Sequence, residues 1–181
     1  MNPSSPVYSG LQPDPQAKAH LIVAEGDGAA AVIDLYAAAD AGFAGCATLL
    51  YAAGSAAQHA QLLALGAKLL PDIAALLRAS KECMEQAGMG TTIYLTGSPS
   101  FIGEAAKLAG GYGVSFASLR TEARGSAGKR VQCVHCKSIE ANVVTATVTC
   151  SHCRLKLLVR DHYSHRLNAF MGVCCEAERA G

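Results

Sequence analysis

Half of the 181 residues are hydrophobic, so the chain can bury the core of one large domain or two small ones. Fifteen Lys and Arg stand against fourteen Asp and Glu, and a charge balance of that kind offers no basic surface for nucleic acid. Asp34, Asp40 and Gly42 interrupt the apolar stretches before any reaches the roughly 20 residues that cross a bilayer, so no membrane partner is expected either.

Residues 1–16, MNPSSPVYSGLQPDPQ, are rich in Pro and Ser and lack the apolar region of an export signal. They read as a flexible arm, and the protein as cytoplasmic. Strand and helix signals then alternate. His20–Glu25 is a short apolar run ending in glycines, which suits a buried strand. A helix over Ala29–Ala39 follows, then a strand over Cys46–Ala52. Ser55 is placed to cap a helix running to Leu65. Asp72–Ala87 sets Ile73, Leu76, Leu77, Cys83 and Met84 on one helical face. Thr91–Thr96 is a strand. A helix from Ser98 to about Ala109 turns Phe101, Ile102, Ala105 and Leu108 inward, and Val114–Leu119 reads as the last strand. The class is therefore α/β: a Rossmann-like parallel sheet over residues 17–123 with helices on both faces and right-handed crossovers.

The Gly-rich segment Arg124–Lys129 reads as a linker, taken as residues 124–130. Beyond it the period changes to two. Val144, Ala146 and Val148 alternate with Thr145, Thr147 and Thr149, and Leu155, Leu157 and Val159 alternate with Lys156 and Arg160. Residues 131–181 are therefore expected to form a small all-β domain. Within it stand two CxxC pairs, Cys133 with Cys136 and Cys150 with Cys153, separated by thirteen residues. Each pair is a tight turn that aims two thiolates at one point, and two turns complete a tetrahedral four-sulfur site of the zinc-ribbon kind. Without an export signal, metal binding in a reducing compartment is preferred to disulfides. Soft all-sulfur ligation accepts zinc or iron. A rubredoxin-like iron knuckle usually has Gly after its second Cys, whereas Lys137 and Arg154 stand here, and their charge would offset that of a four-thiolate zinc centre. Structural zinc is favoured. His135 and His152, inside the turns, read as solvent-facing. Cys174 and Cys175 read as ordinary packing residues, and Cys46 and Cys83 as core residues.

Two glycine loops sit where α/β proteins bind phosphates, at a strand end that opens a helix. They are Glu25-Gly26-Asp27-Gly28 and Thr96-Gly97-Ser98-Pro99. With Gly113-Val114 and Glu122, these loops resemble the pyridine-nucleotide lobe of the ferredoxin–NADP reductase family over residues 18 to 123. That resemblance marks Gly26, Gly28 and Gly97 as nucleotide-loop positions. The departures are specific. Ala30-Ala31 replace a Thr-Pro, Thr96 replaces a Cys, Ser98 replaces a Pro, and Ala53-Gly54 stand where many relatives carry an Arg. No flavin-binding barrel precedes the lobe, so the resemblance implies a reductase-like scaffold kept for assembly rather than for nucleotide chemistry.

Leu157–Val173 mixes Arg160, Asp161, His162, Tyr163, His165, Arg166 and Phe170. Asp161 and His162 are neighbours on an expected strand, so they should point to opposite faces. Arg and aromatics are enriched at interfaces, which makes Arg160, His162, Tyr163, Arg166 and Phe170 the candidate partner surface. The CxHC…CxHC ribbon followed by LLVRDHYS and NAFMGV is similar to the C-terminal domain of the small accessory subunits of bacterial dimethylamine monooxygenase. The resemblance extends over nearly the whole chain. It implies a non-catalytic subunit of an NADPH-dependent complex that converts dimethylamine and oxygen to methylamine and formaldehyde. Haem, flavin, iron–sulfur centres and NADPH would then belong to the catalytic and reductase chains. The alternative is an electron-transfer component that binds NADPH or holds iron in its four-cysteine site.

Overall fold

A computed structural model describes residues 6–115, 118–164 and 166–175. The chain divides into two compact units, one over residues 8–125 and the other, among the described residues, over residues 6–7 and 126–175.

The first unit is a five-stranded, wholly parallel sheet in the order β3-β2-β1-β4-β5. Its strands are β1 (Ala19–Glu25), β2 (Ala47–Ala52), β3 (Lys68–Leu69), β4 (Thr91–Gly97) and β5 (Arg120–Ala123). The central strands are buried on both faces, as their unbroken apolar runs require. Helices α1 (Gly28–Ala38) and α2 (Ala56–Ala64) cover one face through Val32, Leu35 and Leu62, which pack on Ile22, Leu49, Tyr51 and Tyr94. Helices α3 (Ile73–Gln86) and α4 (Pro99–Gly110) cover the other through Leu76, Met84, Phe101 and Ile102, on Leu21, Val23, Leu50 and Leu95. Local chemistry fixes three helix starts. Ser55 and Gln58 form a capping box on α2, Asp72 accepts from Ala75 N–H on α3, and Ser98 accepts from Phe101 N–H ahead of Pro99 on α4.

Three expectations are corrected here. The last strand is not Val114–Leu119 but Arg120–Ala123. The chain leaves α4 through a Schellman turn, with Gly113 left-handed at φ 80° and Val114 N–H returning to Ala109 O at 3.2 Å. That turn holds Val114 against the helix end, where it and Leu119 fill the core as loop residues; residues 116 and 117 lie outside the described residues. The N-terminal segment is not a free arm from residue 8 onward. Gly10 N–H donates to Thr121 O, Leu11 N–H to the Glu122 carboxylate, and Asp14 N–H to the Tyr94 hydroxyl, while Leu11 is 5% exposed. An edge strand has unpaired backbone groups, and this segment takes up one of those of β5, the Thr121 carbonyl. Cys46 is exposed at the end of a 3-10 turn (Phe43–Cys46) rather than in the core.

His20, 6% exposed, contacts the Tyr94 hydroxyl through Nδ1 at 3.1 Å and stacks on Phe43. Burial pushes its pKa below 6.5, against the opposing pull of Asp14 and Asp40. The unfolded chain therefore takes up this proton first. The stabilisation is complete above 6.5 and is lost as pH falls through the depressed folded value. Urea unfolding of the first unit at about pH 7.5 and about pH 5.5 should show lower stability at the acid value, and His20→Gln should flatten the difference.

The second unit is a five-stranded sheet in the order β7-β6-β10-β9-β8. Its strands are β6 (Lys129–Cys133), β7 (Ile139–Val143), β8 (Thr147–Thr149), β9 (Lys156–Ser164) and β10 (Ala169–Cys174). β10 pairs parallel with β6 and antiparallel with β9. The irregular stretch between the two sheets runs only from 124 to 128. The alternation at Val144–Thr149 does not make one strand. Thr145 Oγ1 donates to Thr147 O, the chain turns, and Val144 is left 69% exposed. Two small apolar clusters form this core, one of Val131, Val143, Tyr163 and Phe170, the other of Cys133, Cys150 and Leu157. Among the described residues, no helix is long and apolar enough to cross a membrane.

Candidate metal centre

The sulfur atoms of Cys133, Cys136, Cys150 and Cys153 all lie within 4.8 Å of one another. Cys133 ends β6 and Cys136 follows it in the turn; Cys150 follows β8 and Cys153 precedes β9. The two turns repeat one backbone pattern. Lys137 N–H donates to Cys133 O and Cys133 N–H to Ser138 O, both at 2.9 Å. Arg154 N–H donates to Cys150 O at 3.0 Å and Cys150 N–H to Leu155 O at 2.9 Å. Each turn needs a left-handed residue after its second cysteine, and Lys137 (φ 66°) and Arg154 (φ 63°) supply it without being glycine. Such a position costs a side-chain-bearing residue roughly 1 kcal/mol or more. Lys137→Gly should therefore raise the ribbon's melting temperature by a few degrees, read by thermal unfolding of the metal-loaded chain.

The donor set fits a tetrahedral ion. A metal–sulfur distance of about 2.3 Å implies sulfur–sulfur edges of about 3.8 Å. Cys133 to Cys153 measures 3.7 Å and Cys136 to Cys150 measures 3.6 Å. Four protein sulfurs fill all four directions, so zinc or iron would be held without an open position. The metal-binding species is the thiolate. The Ser138 hydroxyl, 3.1 Å from Cys136 Sγ and 3.2 Å from Cys150 Sγ, holds the Cys136 thiol down at about 6. The Cys153 backbone N–H lowers Cys150 in the same sense. Glu140 accepts from Ser151 N–H and Oγ–H at 2.8 and 2.9 Å, and so ties β7 to the second turn. Sequence reasoning missed Ser138 and Glu140; the serine directly after the first turn was the available signal. His135 and His152 are exposed and stand outside the cluster.

The other candidate residues meet at the crossover between β1 and β4. A Cβ on Gly28 would stand 2.8 Å from the carbonyl carbon and oxygen of Thr96. Gly97, at φ 140°, leaves no room for one beside the Glu25 carboxylate and backbone. Gly26 turns the chain at φ 52° and donates to Ala52 O. At the N-terminus of α4, Glu25 Oε2 accepts from Ser98 N–H at 2.8 Å. Asp27 lies at the start of α1, where it accepts from Gln58. The glycines thus bring helix and strand into contact, and the chain's own carboxylate meets the N–H group facing the crevice.

The family described as dimethylamine monooxygenase subunit DmmA-like, N-terminal domain, matches residues 3–119, and its C-terminal domain matches residues 130–173. The chain belongs to this DmmA-like family. It is also similar to a protein of Ectopseudomonas mendocina (strain ymp) named heme-dependent oxidative N-demethylase delta subunit, 28% identical over 109 residues. That match covers 60% of this chain and 62% of the relative. No solved structure matches the chain.

In this DmmA-like chain the hairpin of β9 and β10 differs from its expected form. Met171 pairs with Arg160 but the preceding Phe170 pairs with Tyr163, so Asp161 and His162 bulge out of the ladder. Both are exposed. Tyr163 and Phe170 are not on the surface. They are 6% and 7% exposed, their rings meet edge to face at 5.0 Å, and the Tyr163 hydroxyl donates to Asn168. Aromatic residues in a small ribbon are needed for its core before they are available to a partner. Arg160, His162 and Arg166 remain exposed; His165 lies outside the described residues.

Proposed function

We propose that this chain is a non-catalytic subunit of an oxidative N-demethylase, stapled by structural zinc and working in the cytoplasm, where thiols stay reduced. The observation that carries this reading is the closed four-thiolate cluster, which has no position left for substrate. The crossover loops support it, because a carboxylate, Asp27, stands at the start of α1, where a dinucleotide pyrophosphate would sit, and Glu25 takes up the Ser98 N–H of the second loop. Family membership and the delta-subunit relative supply the complex. In that complex dimethylamine, oxygen and NADPH give methylamine and formaldehyde. Haem, flavin and iron–sulfur centres on the catalytic and reductase chains supply oxygen activation and electron delivery.

Purification of the chain with metal analysis, absorption spectroscopy and NADPH calorimetry tests the reading. One zinc per chain, no visible absorption and no heat with NADPH are expected, together with a haem-containing chain brought down by a tagged copy in its host. A red protein with a reversible one-electron couple would overturn it in favour of an electron-transfer component.

A further inference from the structure

The near-zero net charge conceals a partition. Residues 8–125 carry seven Lys and Arg against ten Asp and Glu, whereas residues 126–181 carry eight against four, a net +4 with His neutral. A divalent ion on four thiolates would contribute about −2, which leaves the ribbon cationic. The balance of the whole chain averages over two units of opposite sign.

Sheet register places part of this charge. Directly paired residues share a face. Phe170 pairs with Tyr163 and Val131, Gly172 with Val159 and Cys133, and Cys174 with Leu157; this is the face that holds the core. Val173 pairs with Leu158, and Met171 with Arg160 and Gln132, so these residues form the opposite face. Lys156 joins them by the alternation of β9. Leu158, Met171 and Val173 are half-buried, and none belongs to either apolar cluster of the ribbon. Lys156 and Arg160 are exposed on either side of Leu158. The bulge at Asp161 and His162 ends the strip. An apolar centre with a charged rim is the anatomy of a protein interface.

We propose that this face of the ribbon docks a carboxylate-rich surface of another subunit, with Lys156 and Arg160 paired to its acids around Leu158, Met171 and Val173. The proposal rests on the subunit reading above. Charge selects the occupant. A second copy meeting this face by two-fold symmetry would set the same cations against each other. Nucleic acid would bring phosphates onto three apolar side chains that contact with its backbone does not use.

The native complex, purified through a tag on this chain, is treated with a carbodiimide that joins lysine to a carboxylate in contact. Lys156 should link to an Asp or Glu of a different chain. In the doubly charge-reversed variant, Lys156→Glu with Arg160→Glu, apparent affinity for the complex should fall at least about tenfold. Dissociation should come at lower NaCl across about 0.05 to 0.5 M. Wild-type amide-exchange protection across β9 and β10, together with the wild-type metal content, shows that the variant ribbon is folded, and Lys156→Gln with Arg160→Gln should fall between the two. Lys81→Glu with Lys107→Glu, the same charge change on exposed positions of α3 and α4, should leave the salt tolerance unaltered. The proposal is overturned if the reversed ribbon keeps both its metal and the wild-type salt tolerance. It is also overturned if Lys156 links only within the chain or to a second copy, or if the reversal abolishes DNA binding instead. A wild-type chain that brings down no other subunit overturns the subunit reading itself, and the docking with it.

Discussion

Cys150→Ser is expected to release the metal and unfold residues 126–175 while the α/β unit stays folded. The reason lies in what the ribbon has for a core. Its second apolar cluster consists of Cys133, Cys150 and Leu157, so two of its three fully buried members are themselves ligands. The first cluster, Val131, Val143, Tyr163 and Phe170, is four side chains for about fifty residues. A core of that size does not offset the ordering of the chain, and structural zinc adds about 10–16 kcal/mol in small domains of this kind. Losing one thiolate removes most of that term, and a serine hydroxyl does not replace it. Amide exchange followed by mass spectrometry resolves the two units. Residues 126–175 should exchange freely in the variant, and equally in the wild type after chelation, while β1 and β4 remain protected. Protected ribbon amides in a metal-free chain would contradict the staple.

Gly28→Ala should strongly destabilise the α/β unit, although it adds one methyl group. The added carbon would stand 2.8 Å from two backbone atoms of Thr96 and 2.9 Å from Gly97 N. Backbone of a central strand cannot rotate aside as a side chain would, so α1 must move off the sheet. That move opens the contacts of Val32 and Leu35 with Ile22 and Tyr94. Overpacking of this kind costs about 3 kcal/mol, which lowers the unit's melting temperature by about 10 °C or more. Differential scanning calorimetry should show one transition displaced and the ribbon transition unmoved. A phosphate-loop role alone would predict little change in stability, so the size of the shift separates the two uses of this glycine.

Legibility in the sequence followed the strength of the local signal. The α/β alternation was readable because buried parallel strands are near-continuous apolar runs, and because Ser55, Asp72 and Ser98 mark helix starts. The ligand set was readable because the CxxC spacing alone brings two sulfurs together. What stayed hidden depends on partners far along the chain. Strand β3 is two residues long and exists only as an addition to β2. Leu11 is a lone apolar residue among prolines, and nothing local says that Glu122 and Tyr94 will hold its segment. The bulge at Asp161 and His162 breaks the period of two without a glycine or proline to announce it. Tyr163 and Phe170 therefore looked like surface residues beside Arg160 and Arg166, although they close the core.

The middle position of β10 makes the ribbon's sheet depend on its last strand. Strands β6 and β7 form one antiparallel pair and β8 and β9 another, and both sulfur turns close by residue 155. β10 lies between β6 and β9 and supplies both ladders that join the two pairs. The residues that hold the metal and the strand that closes the sheet are thus separate stretches of the chain. A chain cut short before Ala169 would still present four thiolates, yet it would lack the strand that turns two hairpins into one sheet.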